Sequence, residues 1–102
     1  MTISLGTSSS GTSGQIRANG SKETVTSGTR VQFSSYVAIE VIIVAQSANT
    51  GYIYVGNSNV SSTVYVQRLS AGESMVLSVN DSSQIYIDSS VSGEGTVYTI
   101  IG

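Results

Sequence analysis

The chain of 102 residues contains no Cys, His, Trp or Pro, and only 10% of it is charged, where about 25% is usual. Each absence removes a class of chemistry. Without Cys there is no disulfide framework, thiolate zinc site or cysteine nucleophile. Without His there is no Ser-His-Asp triad, no HExxH helix and no imidazole base. What replaces them is plain. Ser and Thr fill 31 positions, Val and Ile another 23, and Gly 11. This is the composition of one small β-rich domain and not of an enzyme.

The few charges narrow the partners. Arg17, Lys22, Arg30 and Arg68 stand against Glu23, Glu40, Glu73, Asp81, Asp88 and Glu94, for a net charge of −2. Four scattered cations cannot neutralise many phosphates, so no nucleic-acid partner is expected. No basic amphipathic stretch suggests a membrane surface. The longest apolar run, Val41 to Ala45, is far short of the roughly 20 residues of a spanning helix. The opening Met1-Thr2-Ile3-Ser4 lacks the basic and apolar regions of a signal peptide, and Sec export is not expected.

The carboxylates do not assemble a reaction. A glycosidase needs two acids held across a cleft. Asp81 and Asp88 qualify only by residue type, because Asp81 reads as a turn cap and Asp88 as a strand end. No Ser lies in G-x-S-x-G, and none can have a His base. A calcium loop needs closely spaced acids, but Asn80-Asp81-Ser82 offers one carboxylate and Asp88 the next. Gly93-Glu94-Gly95 has no P-loop or dinucleotide-fold spacing and reads as a hairpin turn. The triplets Asn19-Gly20-Ser21, Asn59-Val60-Ser61 and Asn80-Asp81-Ser82 match a glycosylation pattern by chance in so Ser-rich a chain. The expectation is no catalytic residue, no metal and no cofactor.

The chain divides in two by pattern. Residues 6–24 hold only Ile16 and Ala18 as apolar side chains, too few to offset the entropy of ordering. Residues 1–24 are therefore expected to be an N-terminal arm, opened by a strand-like hook at Ile3 and Leu5. The hook reads either as a frayed terminus or as an arm docking on a neighbour. Residues 25–102 are expected to form the folded domain. Strand candidates are Glu23–Val25, Thr29–Phe33, Val37–Gln46, Tyr52–Gly56, Val64–Leu69, Ser74–Val79, Ile85–Asp88 and Thr96–Ile101. They are rich in Val, Ile, Tyr and Thr. They recur roughly every 8–12 residues, with Gly, Asn and Ser turns between them, as in a sandwich or barrel. The expected fold is all-β: an antiparallel β-sandwich, jelly-roll-like or Ig-like, with a flexible N-terminal arm.

Alternation assigns faces. Met75, Leu77 and Val79 oppose Ser74, Val76 and Ser78, and Ile85 and Ile87 oppose Tyr86 and Asp88. Val97, Thr99 and Ile101 oppose Thr96, Tyr98 and Ile100. Val37–Gln46 is apolar on both faces, with Ile42 and Val44 on the second. A strand covered on both sides reads this way, the cover being either another subunit or the arm. Ile53-Tyr54-Val55-Gly56 and Ile85-Tyr86-Ile87-Asp88 echo one another, each leading into a Ser-rich loop. Tyr52, Tyr54 and Tyr65 fall on neighbouring strand candidates, and Tyr86 and Tyr98 are expected as cross-strand partners. Such rings serve sheet packing, protein contact or sugar binding.

From Thr29 onward the order of segments carries a resemblance. Gly28-Thr29-Arg30-Val31-Gln32 precedes the aliphatic strand Val41-Ile42-Ile43-Val44-Ala45. Then come Asn49-Thr50-Gly51-Tyr52-Ile53-Tyr54-Val55-Gly56, Leu69-Ser70-Ala71-Gly72-Glu73-Ser74, and Gln84-Ile85-Tyr86-Ile87-Asp88 with Gly93-Glu94-Gly95. This order resembles small β-sandwich structural proteins of tailed bacteriophages, among them capsid decoration (cement) proteins and other virion accessory modules. The resemblance implies a non-enzymatic virion protein, made in the host cytoplasm and carried on the capsid exterior. It implies the major capsid protein as partner, a homotrimer, and an arm that touches the shell. The alternative is a tail or fibre component recognising host surface glycans. Ile3, Leu5, Ile42, Val44, Tyr52, Tyr54 and Tyr65 are the candidate interface residues.

Overall fold

Period-two alternation in Val-, Ile- and Tyr-rich segments leads to strands with one face inward, and these are what form. The computed structural model describes residues 14–102. Its strands are β1 Ile16–Glu23, β2 Val31–Gln32, β3 Glu40–Ala45, β4 Ile53–Gly56, β5 Gln67–Leu69, β6 Ser74–Leu77, β7 Tyr86–Ser89 and β8 Gly95–Ile101. A short 3₁₀ turn, Ser82–Gln84, precedes β7.

The strands make two four-stranded sheets, β1-β8-β3-β6 and β2-β7-β4-β5. Every pairing is antiparallel. The first strand pairs with the eighth, the second with the seventh, the third with the sixth and the fourth with the fifth. One long folded hairpin has been rolled until β3 meets β8 and β4 meets β7. This is the jelly-roll order of two interlocked Greek keys, so the sandwich is jelly-roll-like and not Ig-like.

The core lies between the sheets. Val41, Ile43 and Ala45 of β3 face Ile53 and Val55 of β4, Leu69 of β5 and Ile85 and Ile87 around β7, with Phe33 and Ile100 closing the ends. Met75 and Leu77 of β6, and Val79 just beyond it, pack against it, as their alternation predicts. Inward on β8 are Thr96, Tyr98 and Ile100; Val97 faces out, 45% exposed.

Three expectations are corrected. Residues 16–23, assigned to the arm, form β1 and pair with β8 from Ile16–Ile101 to Glu23–Gly95. This strand needs few apolar side chains because the hydrogen-bonded ladder with β8 holds it. Its Gly20 lies beneath the Tyr98 ring. The arm boundary at residue 24 therefore does not mark the start of the fold, and the hook at Ile3 and Leu5 lies outside the described residues. The long strand proposed from Val37 begins only at Glu40, because Val37 and Ile39 are exposed. Tyr86 and Tyr98 belong to different sheets and are not cross-strand partners; Tyr98 instead packs on Phe33, ring centroids 5.2 Å apart.

Candidate functional site

Three turns at one pole are tied by side chains. Glu94, between β7 and β8, accepts hydrogen bonds from Thr50 N at 2.7 Å, Gly51 N at 2.9 Å and Thr50 Oγ1 at 2.8 Å. The backbone N–H groups of Thr50 and Gly51, with the Thr50 hydroxyl, hold its carboxyl below the ordinary range. Thr24 and Ser89 share a buried hydroxyl hydrogen bond beneath this turn. Gly93 takes φ +84°, as a turn glycine. Gly95 is needed for a different reason: a Cβ there would collide with the Lys22 carbonyl and Glu23 Cα.

At the other pole Asp81 caps the 3₁₀ turn. It accepts from Ser83 Oγ at 2.7 Å, Ser83 N at 2.9 Å and Ser35 Oγ at 3.0 Å. The Ser83 hydroxyl, then the Ser83 N–H and the Ser35 hydroxyl, hold its carboxyl below the usual range. Asp88 is 3% exposed and accepts from Gly28 N at 3.0 Å and Ser89 N at 2.8 Å. Asp81 is engaged by serine hydroxyls and a backbone N–H, and Asp88 by backbone N–H groups. Among the described residues no group of three or more acidic side chains is placed to hold a metal.

Tyr52, Tyr54 and Tyr65 gather on the outer face of the β2-β7-β4-β5 sheet. Tyr54 packs on Tyr65 with centroids 5.4 Å apart, and the Arg68 guanidinium lies 4.1 Å above the Tyr52 ring. The loop between β4 and β5 folds back over this face. Its Val60 is fully buried and sits where a Cβ on Gly56 would point. Arg30 Nη1 donates to the Val60 carbonyl at 3.3 Å. Tyr54 is consequently only 7% exposed. Tyr54 is thus internal packing, while Tyr52 and Tyr65 remain exposed at its margin.

The outer face of the other sheet is different. Ile42 pairs with Val76 on one side and Thr99 on the other, and Val44 with Ser74 and Val97. Ile42 and Val44 are half-buried, while Val76 and Val97 are exposed. Asn19 and Ser21 of β1 continue the surface opposite Thr99 and Val97. The result is an uncharged apolar stripe with Glu40 at one end and Glu23 at the other. No segment of the described residues covers it. A shallow depression against Val44, Val97, Gln46 and Gly72 lies at one end.

The sequence-derived interface residues therefore fall on two opposite faces. Ile42 and Val44 share the bare stripe; Tyr52, Tyr54 and Tyr65 share the covered face. The two-sided apolar pattern of β3 arises although its second side is open. Val76 and Val97 complete the stripe and were not among the candidates. Their signal was a Val at an outward position, in each case on the same face as Ser or Thr.

No family model, curated protein or solved structure matches this chain.

Proposed function

We propose that this chain is a non-enzymatic virion structural protein of the capsid-decoration type, which binds and stabilises the head lattice of a tailed phage through the bare face of its β1-β8-β3-β6 sheet. The observation that carries the reading is the uncharged stripe of Ile42, Val44, Val76 and Val97. A small, sparsely charged domain with such a face suits a coat partner, and jelly rolls recur in viral capsids. The choice of a capsid rests on the order of segments and on fold-level analogy, which by itself assigns no function.

Binding works here by removing apolar surface from water. Covering the exposed halves of Val76 and Val97 contributes about 1 kcal/mol each, modest for one copy. A coat repeats its site many times, and copies that also touch one another gain from effective concentration. Glycan recognition by Tyr52, Tyr54 and Tyr65 is less favoured, because Tyr54 is buried and Arg68 occupies one face of the exposed Tyr52 ring.

The test uses particles with and without the protein. Particles lacking it are expected to release their genome at lower temperature, and added protein restores them. Ile42→Asp, at a half-exposed position, leaves the fold intact and abolishes attachment. Unchanged release, with no protein on the head, refutes the reading.

A further inference from the structure

The free edge of β1 supplies an inference that does not depend on the coat reading. β1 is an edge strand of eight residues. Among the described residues it pairs only with β8. Long edges invite pairing unless they are blunted; the chain has no Pro, and the register shift in β1 is confined to its first residues, between Ile16 and Ala18, leaving Ala18–Glu23 regular.

Which backbone groups point outward can be worked out. Thr24 N donates to the Glu94 carbonyl at 3.0 Å, and the Thr24 carbonyl accepts from Gly93 N at 2.7 Å. The Lys22 carbonyl accepts from Thr96 Oγ1 at 3.2 Å. Thr24 and Lys22 therefore turn their backbone groups toward the β8 side. By strand alternation so do Gly20 and Ala18, while Glu23, Ser21 and Asn19 turn theirs to the free edge.

We infer that this edge pairs antiparallel with β1 of a second copy about a two-fold axis at Gly20, joining the two β1-β8-β3-β6 sheets into one. An antiparallel hydrogen-bonded pair must match outward residues with outward residues. That condition rejects every register that sets an outward residue against an inward one. Of those remaining, the one centred on Gly20 places Asn19 opposite Ser21 of the second copy, twice by symmetry, and brings the long side chain of Arg17, at the register shift between Ile16 and Ala18, to the end where Glu23 of the second copy lies. Centring on Ser21 shortens the overlap, and neither that register nor the one centred on Asn19 brings Arg17 to Glu23 of the second copy. In the Gly20 register Lys22 stands opposite Ala18 of the second copy, so no like charges face each other. Glu23 is already steadied by Gln46 Nε2, which donates to it at 2.7 Å. The contact is isologous and closes on itself, making a dimer in place of the trimer the resemblance implies.

Sedimentation of the full chain across about 10–500 µM, a range suited to a small interface, is expected to show a concentration-dependent dimer. Arg17→Glu and Glu23→Arg are each expected to weaken it about tenfold, and the two together to restore it to within about threefold. Ser21→Pro removes an outward N–H while sparing the β8 ladder, and is expected to abolish the dimer with the near-ultraviolet spectrum unchanged. The charge exchange decides the matter even if the Pro variant fails to fold. A chain that stays monomeric, forms a trimer, or associates regardless of the charge reversals overturns the inference.

Discussion

The two outer faces of this sandwich are built from similar strands and treated in opposite ways. On the β2-β7-β4-β5 sheet, the loop carrying Val60, the Arg68 side chain and the Tyr65 ring lie over Tyr52 and Tyr54. On the β1-β8-β3-β6 sheet, Ile42, Val44, Val76 and Val97 have no cover from the described residues. The buried Tyr54 and Val60 on the first face belong to stability, and the bare apolar stripe of the second is available to a partner. Substitutions on the two faces should therefore change different measurements.

The largest effect is expected on the covered face. Tyr54→Ala removes a buried ring from beneath Tyr65 and should cost about 3 kcal/mol. A melting point lower by roughly 15 °C follows for a domain of this size. Val60→Ala, at the loop's anchor, should cost about 2 kcal/mol by the same measurement. If either variant melts like the parent, the loop is not a structural cover.

Changes on the bare face should leave stability alone. Ile42→Thr and Val76→Thr are each expected to shift unfolding by no more than about 0.5 kcal/mol in denaturant titration. Both should weaken attachment to the coat. A large loss of stability from either would mean that the stripe is buried within the folded chain, removing the contrast between the faces.

The smallest effect concerns acid, and it arises at the two opposite poles of the sandwich. Glu94 and Asp81 are held below their ordinary values of 4.5 and 3.8. Their depressed folded values mean that the stabilisation is present above those pH values and is lost as pH falls through the folded ones. Melting points measured downward from pH 5 should therefore decline, and Glu94→Gln should make that decline shallower. An identical acid limb in Glu94→Gln would show that the Thr50 and Gly51 contacts carry no pH-dependent stability.

Much of this was readable in order of residues, and the reasons for the exceptions are physical. Met75, Leu77 and Val79, or Ile85 and Ile87, announce an inward face because alternation is local. β1 was hidden because an edge strand over Tyr98, with water on its other side, needs almost no apolar side chains. Tyr52 and Tyr54 share a face by spacing alone. Tyr65 joins Tyr54 only because a loop folds back, and no local pattern encodes that. The open second side of β3 was equally invisible, since half-exposed Ile42 and Val44 look like a core to any pattern. Which sheet each strand enters depends on pairings between residues far apart in the chain.

The position of β8 also bears on how the protein is made. It lies between β1 and β3 and hydrogen-bonds to both. Until residues 95–101 have left the ribosome, the strand from Ile16 has no neighbour and β3 has only β6. Such remote pairings are slow to form, so folding waits for synthesis to reach this segment. A ribosome stalled before it would hold an open, adhesive chain, and a truncation there would yield aggregates and not a smaller domain.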